Sequence, residues 1–277
     1  MRNPFQSIVL AIALFVFLLI CGGTARAQDH SSHSHDNGAI HFSHPLVSES
    51  PSPDTKVRFD YVFANLHGEE DEMGVIRHTF LIEAEYAFAP WLSLEVDVPY
   101  TFLVPDEGTS TNRLDNMEVG LKYANFTFAE HGLLLGGGIE FGLPTGNEEK
   151  GIGSNHVLEV EPFVDFGFQR NHWEIVGFTS FGFPVNENDG HGADLEVGWN
   201  LSVLFHLTPR IETLLEFNGE NVFGGEEDGH TVVNVTPGFK LQPIDDSNFQ
   251  VGIGVSLPLT DDFEFHTMPM LSVFYHF

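Results

Sequence analysis

Five histidines lie within fifteen residues near the start of the chain, interleaved with Asp29 and Asp36. Neutral imidazole nitrogens are good ligands for Zn, Cu and Ni, and histidine-rich tracts are a known metal-binding composition. The predicted metal ligands are His30, His33, His35, His41 and His44. The alternative is a polar linker whose histidines bind nothing. No other cofactor is predicted.

Acidic residues outnumber Lys and Arg by 40 to 11, and the formal net charge of −29 excludes nucleic acid as a partner. In the strand register given below, many carboxylates share one face with few cations. A water-filled lumen lined in this way concentrates cations and excludes anions. The predicted selectivity residues are Glu83, Glu85, Glu95, Asp97, Glu118, Glu159, Glu161, Asp165, Glu196, Glu212 and Glu216. The alternative is an inert polar wall in a narrow or plugged barrel.

Three further acidic clusters lie in predicted loops, at 69–72, 148–149 and 226–228. Carboxylates are ligands for hard divalent cations, including those that bridge the phosphates of lipopolysaccharide. Solvated loop tips are the other interpretation of these clusters.

Catalysis is not expected. A hydrolase needs a nucleophile and a base within hydrogen-bond reach, oriented by a third group. Ser202 and His206 share a strand face, but four residues at ~3.3 Å each separate them by about 13 Å. The same spacing separates Ser272 from His276. We predict that the protein is not an enzyme.

The elements that position these residues are short segments of alternating hydrophobicity. One face of 92–102 is apolar, for instance, while Ser93, Glu95 and Asp97 occupy the other. About ten residues is the length of a tilted strand that crosses a bilayer. Twelve such strands are predicted, at 56–66, 75–88, 92–102, 116–128, 133–143, 157–168, 172–183, 194–207, 211–222, 231–241, 248–259 and 263–277.

The connections are short after even-numbered strands and mostly longer and acidic after odd-numbered ones. Short periplasmic turns and long outer loops are typical of bacterial outer-membrane barrels. The predicted fold is therefore an all-β, up-and-down antiparallel transmembrane barrel with both termini in the periplasm. A soluble β-sandwich is the alternative, but it explains neither the loop pattern nor the aromatic C-terminus.

The chain ends in an apolar stripe of alternate residues: Leu271, Val273, Tyr275 and Phe277. This ending resembles the closing strand of bacterial outer-membrane barrels, where it is the signal read by the barrel assembly machinery. That machinery, outer-membrane lipid and lipopolysaccharide are the predicted partners, besides a small solute.

The first 27 residues combine Arg2, an apolar run and the small-residue site Ala25-Arg26-Ala27. This layout is typical of a secretory signal peptide. Its removal would take the formal net charge from −29 to −31 and leave no cysteine, because Cys21 is the only one. Lipid attachment at Cys21 is an alternative that the bulky Ile20 disfavours. The predicted organisation is a signal peptide (1–27), a flexible periplasmic His-rich leader (28–55) and an outer-membrane barrel (56–277).

The segments 141–148 (FGLPTGNE) and 151–154 (GIGS) resemble the Pro-x-Gly and Gly-x-Gly-Ser loop of one barrel family. It is the outer-membrane transporter-like family called putative MetA-pathway of phenol degradation. The resemblance implies passage of small, often aromatic or hydrophobic, compounds across the outer membrane.

The sequence therefore predicts an outer-membrane channel for a small solute, either a metal cation or a small aromatic or hydrophobic compound. The acidic lumen would select the solute, and the leader would offer it a metal handover site. The alternative function is a non-transporting surface barrel whose acidic loops bind divalent cations.

Overall fold

The computed structural model describes residues 40–66, 74–186, 193–226, 228–245 and 247–277. The predicted signal peptide and three of the five leader histidines, His30, His33 and His35, lie outside these residues. So do the acidic cluster at 69–72 and part of the one at 226–228.

Thirteen strands form one antiparallel sheet in the part of the chain that is described. Their bounds are β1 Lys56–Leu66, β2 Val75–Ala89, β3 Leu92–Pro105, β4 Thr111–Leu114, β5 Met117–Asn125, β6 Leu133–Leu143, β7 Leu158–Arg170, β8 Trp173–Val185, β9 Leu195–Thr208, β10 Ile211–Phe223, β11 Thr231–Leu241, β12 Phe249–Pro258 and β13 Phe265–His276.

Twelve of these strands close into a barrel. β1 pairs with β2 on one side and with β13 on the other, where Lys56 lies opposite His276. The short β4 pairs with the C-terminal part of β3, at residues 100–103, and widens the sheet locally. The predicted twelve-stranded antiparallel barrel is confirmed, with strand ends within about three residues of the predicted ones.

The outer surface of the barrel is apolar. Outward positions of the strands leave large hydrophobic side chains exposed, among them Ile82, Val164 and Ile253. Aromatic residues collect near both ends, as in the girdles of membrane barrels. They are Phe88, Trp91, Tyr123, Trp173 and Tyr275 at one end and Phe181, Phe183 and Phe223 at the other.

We call the end with the short connections the turn end, and the other the loop end. Tight turns such as 90–91 and 171–172 join strands at the turn end, where β1 begins and β13 finishes. The loop end carries long connections, including 144–157 and 186–194. Within the described ranges, no helix has the length and apolarity that a membrane crossing requires.

Residues 40–55 lie inside the barrel rather than in the periplasm, and we call them the plug. Phe42, His44, Leu46, Ser50 and Asp54 are all buried there. The prediction of a flexible periplasmic leader is therefore wrong for this stretch. Its polar groups are not left to water, because side chains of the barrel wall provide partners for them.

Candidate functional site in the barrel lumen

Two apolar side chains of the plug fit against glycines of the lumen wall. The ring of Phe42 is fully buried, and a Cβ on Gly167 would lie only 2.7 Å from three of its carbons. Leu46 occupies the equivalent space beside Gly252, where a Cβ would lie 2.5 Å from its Cδ2. Because these wall residues have no side chain, the plug can approach the backbone of the strands closely.

Glu216 on β10 binds the turn of the plug through consecutive backbone amides. Leu46 N–H donates to its Oε1 at 2.8 Å and Ser48 N–H donates to its Oε2 at 3.1 Å. Val47 N–H lies 3.2 Å from both oxygens, and Ser202 on β9 donates its hydroxyl at 2.9 Å. A buried carboxylate that accepts several N–H groups in this way is a strong anchor.

A second anchor is ionic. Lys122 Nζ lies 2.9 Å from Glu49 Oε2 and 3.4 Å from Glu95 Oε2. Burial alone would raise the pKa of Glu49, but the charges of Lys122 and Lys56 outweigh it and lower the pKa to about 2. Glu49 is therefore ionised at neutral pH and holds the plug against β5.

Lys56 neutralises several of the carboxylates that the sequence assigns to the lumen. Its Nζ contacts Glu83, lies 2.7 Å from Glu85 and lies 3.4 Å from Glu95. Glu85 also accepts the backbone N–H of Asp54 at 3.1 Å. These carboxylates form a salt-bridged layer where the plug meets the wall.

At the turn end the plug brings histidines around one carboxylate. Asp54 Oδ2 lies 2.6 Å from Nδ1 of His276 on β13, 3.3 Å from Nε2 of His44 and 3.6 Å from Nε2 of His41. Burial opposes ionisation of Asp54, but its hydrogen bonds to these histidines outweigh burial and lower its pKa well below the ordinary value. Burial and the charge of Lys56 lower the pKa of His44 well below 6.5, so its imidazole is neutral.

Above the plug, toward the loop end, the lumen contains a cavity of about 490 Å³. Leu46, Val47 and Glu49 of the plug line it and form its floor. Among the described residues, nine carboxylates and only two guanidinium groups, those of Arg58 and Arg77, line this cavity. The cavity is therefore strongly acidic.

Five of these carboxylates follow one another on five neighbouring strands, and we call them the acidic arc. In the strand pairing, Glu83 lies opposite Asp97, Asp97 lies opposite Glu118, and Glu140 lies opposite Glu161. Like charges opposite one another in a sheet destabilise it. Glu83, at one end of the arc, is paired with Lys56 and Arg58. A cation in front of the other four carboxylates would lower their mutual repulsion, so the arrangement favours a bound or passing positive charge.

The wall across the cavity from one end of the arc contains an apolar patch. In the ring of twelve, β13 stands six strands away from β7, the strand that carries Glu161. Met268 and Met270 of β13 line the cavity, together with Val62 of the adjacent β1. Arg58, Asp60 and Glu264 line the cavity on the same side. The cavity thus presents the carboxylates of the arc opposite an apolar, polarisable patch that has charged neighbours.

The structure divides the predicted selectivity residues among three places. Glu83, Glu95, Asp97, Glu118 and Glu161 line the cavity. Glu85, Glu212 and Glu216 contact the plug. Glu159, Glu196 and Asp165 face the lumen outside both groups. Their role in selectivity stays a prediction.

The predicted metal ligands His41 and His44 come together, although inside the barrel rather than in the periplasm. Sequence reasoning missed their partners Asp54 and His276, because the contact joins positions 222 residues apart. Of the predicted assembly signal, Leu271 and Tyr275 are exposed on the outer face. Phe277 packs edge-to-face against Tyr275, their ring centroids 5.0 Å apart.

No family model matches the chain, and no curated protein matches it in sequence. Solved structures do match it in fold. An outer-membrane channel from Pseudomonas putida F1 aligns with a TM-score of 0.67 at 12% identity, covering 88% of this chain and 100% of that one. The NanC porin aligns with a TM-score of 0.55 at 7% identity, covering 80% and 98%. The KdgM porin in complex with disordered oligogalacturonate aligns with a TM-score of 0.51 at 11% identity, covering 79% and 99%.

The chain is an outer-membrane β-barrel. The predicted fold class is confirmed, and so is the predicted place in the outer membrane, in agreement with the apolar outer face and its aromatic girdles. At these identities the likeness shows the fold alone. The resemblance to the phenol-degradation family is not confirmed and stays a prediction.

Proposed function

We propose that this outer-membrane barrel is a channel for a small cationic solute, closed at its turn end by the plug. The observation that carries the proposal is the acidic arc, five carboxylates on neighbouring strands that line one cavity. Rings of carboxylates select cations in the same way in other pores. No catalytic role is proposed.

The cavity also limits the kind of cation. Its volume of about 490 Å³ is in the range of sites for small organic molecules. The apolar patch at Val62, Met268 and Met270 would stabilise an apolar part of the solute, and a hydrated metal ion has none. Of the two predicted cargoes, we therefore favour a small organic compound, and we propose that it carries a positive charge.

Passage requires the plug to move. The plug fills the lumen between the cavity and the turn end, and its contacts with the wall include the anchors at Glu216 and at Lys122. The plug is covalently continuous with β1, so it can swing toward the periplasm without leaving the protein. We propose that the channel opens when these anchors release.

The test is planar-bilayer conductance of the chain without its signal peptide, recorded under a salt gradient. In the parent protein we expect openings with a cation-selective reversal potential. The variant Asp97→Asn, Glu118→Gln, Glu140→Gln, Glu161→Gln should open but lose that selectivity. If the variant keeps the parent's reversal potential, the arc does not select the solute.

A matched control neutralises the same number of carboxylates outside the cavity, at Glu107, Glu130, Glu149 and Asp261. These residues are exposed in connections between strands. The control should keep the selectivity of the parent, which would show that position in the arc, and not net charge, determines the reversal potential.

One observation favours the alternative of a non-transporting barrel: the plug closes the turn end. In that case the acidic loops would bind divalent cations that bridge lipopolysaccharide. A folded barrel that stays silent in the bilayer, even when the plug is released by substitution, would support this alternative. Metal binding by the leader remains part of our proposal, with lipid, lipopolysaccharide and the assembly machinery as partners.

A further inference from the structure

Three side chains of the plug converge at the turn end of the barrel. His41, His44 and Asp54 each offer one ligand atom, and these three atoms all lie within 4.8 Å of one another. His44 and Asp54 are buried, and His41 is partly buried. The sequence separates these residues by up to thirteen positions, so only the folded plug brings them together.

The distances are close to those of a zinc site. Zinc–nitrogen and zinc–oxygen bonds are about 2.0–2.2 Å, so two ligand atoms of a tetrahedral site lie about 3.3 Å apart. Asp54 Oδ2 lies 3.3 Å from His44 Nε2 and 3.6 Å from His41 Nε2. The three atoms all lie within 4.8 Å of one another, so small side-chain rotations would bring them onto one ion.

The barrel wall contributes the partner that orients the carboxylate. His276 Nδ1 lies 2.6 Å from Asp54 Oδ2, and its ring centroid lies 5.5 Å from that of His44. Carboxylates that bind metals are usually held by such an outer hydrogen bond, which fixes their orientation. The site therefore links the plug to the last strand.

A second group of converging ligands, Glu49, Glu83 and Glu95, does not have this character. Lys56 lies within ion-pair distance of Glu83 and Glu95, and Lys122 within that of Glu49 and Glu95. Ammonium groups already occupy the place that a cation would take. In the histidine group, by contrast, the described ion-pair partners of Asp54 are His41, His44 and His276.

We propose that His41, His44 and Asp54 bind a divalent transition-metal ion, with Zn²⁺ the best fit, and that His276 anchors this site to β13. Two imidazole nitrogens and one carboxylate oxygen form a ligand set that zinc accepts, with a fourth position left for water. The bound ion cross-links the two ends of the plug and holds it folded in the lumen. Metal would thus keep the channel closed, a consequence that rests on the proposed function.

The experiment uses the full chain without its signal peptide, refolded in detergent, with His30, His33 and His35 replaced by alanine. Zn²⁺ is titrated by calorimetry, and Co²⁺ is added separately to record its visible absorption. We expect one ion per chain and the intense absorption of four-coordinate Co²⁺. In this background, His44→Ala should weaken Zn²⁺ binding at least 100-fold, and His276→Gln about tenfold or more.

His206→Ala is the matched control. This histidine also lies at the turn end of the lumen, but its partners are Glu174 at 2.9 Å and Glu212 at 3.6 Å. Its replacement should leave the affinity within about twofold. Heat-modifiable migration on gels shows that each variant is folded. The proposed site would be overturned if the protein bound no Zn²⁺, or if the His44→Ala variant bound Zn²⁺ as tightly as its background protein.

Conductance separates this proposal from the proposed function. We expect Zn²⁺ to lower, and a chelator to raise, the open fraction of the parent but not of the His44→Ala variant. A barrel that binds Zn²⁺ yet never conducts would refute the channel and leave the site intact. A cation-selective channel whose chain binds no Zn²⁺ would refute the site and leave the channel intact.

Discussion

Glu216 is the strongest single anchor of the plug, and replacing it with glutamine should release the plug. The side chain is 1% exposed and accepts the amides of Leu46, Val47 and Ser48 as well as the hydroxyl of Ser202. Glutamine keeps the shape but has one acceptor oxygen instead of two. The Ser48 N–H would then face an amide NH₂ group and lose its partner.

The size of the effect follows from these bonds. A hydrogen bond to a charged group contributes about 1.5–3 kcal/mol, and an unsatisfied buried N–H costs about 1–3 kcal/mol. Because the remaining oxygen still serves Leu46 and Val47, we expect a net loss of about 2–4 kcal/mol in docking of the plug. This is roughly a 30- to 700-fold rise in the undocked fraction, at tenfold per 1.4 kcal/mol.

The assay uses the absence of cysteine downstream of Cys21. A single Ser48→Cys substitution puts a thiol where the docked plug is buried, and a hydrophilic maleimide can modify it only after the plug leaves. Adding Glu216→Gln should raise the labelling rate by the factor above. Glu118→Gln is the control: it makes the same charge change at a residue without a described contact to the plug, and it should not raise the labelling rate. A rate within threefold of the parent would refute this account of the anchor.

Three further predictions concern the plug and use the same thiol. Gly167→Leu should expel Phe42, because even a Cβ at this position would lie 2.7 Å from the ring. The labelling rate should therefore rise at least tenfold. Gly198→Ala, next to a serine hydroxyl, is the control and should change the labelling rate little. Lys122→Gln leaves Glu49 without its main partner, so the labelling rate at pH 7 should rise at least tenfold. An unchanged labelling rate would show that this ion pair does not hold the plug. In the parent, the pKa of Glu49 falls from 4.5 to about 2 on docking, so the stability from this pair is present above pH 4.5 and lost as the pH falls toward 2. Between pH 8 and pH 5, titration of Glu49 should therefore not raise the labelling rate of the parent. Lys122→Arg keeps the positive charge, and labelling as slow as in the parent would support the ionic cause.

The barrel could be predicted from the sequence because most of its strands alternate clearly. A slip of one residue in β3 would turn Glu95 and Asp97 toward lipid, so the pattern fixes both the fold and the register. The same register predicts that Asp97 and Glu118 face the lumen on neighbouring strands, which the pairing of β3 with β5 shows. The arc follows from local pattern alone.

The plug could not be predicted in this way. Its Ser, His and Pro-rich composition is typical of disorder, and its order comes from distant contacts, such as that of Leu46 with Glu216, 170 positions away. One signal was present: Gly238, Gly252 and Gly254 leave a gap between the side chains on the lumen face of β11 and β12, and Leu46 fills the space. Glycines on a lumen face, paired with an apolar residue in a polar leader, indicate a segment packed inside the barrel.

The most direct test of the central claim is conductance of a barrel whose plug can be locked. A disulfide between Leu46→Cys and Gly252→Cys joins positions that are in contact, since a Cβ on Gly252 would lie 2.5 Å from Leu46 Cδ2. Under a salt gradient, the oxidised protein should be silent, and reductant should restore openings with a cation-selective reversal potential. Openings that persist in the oxidised protein, or openings after reduction that favour anions or neither ion, would contradict the account.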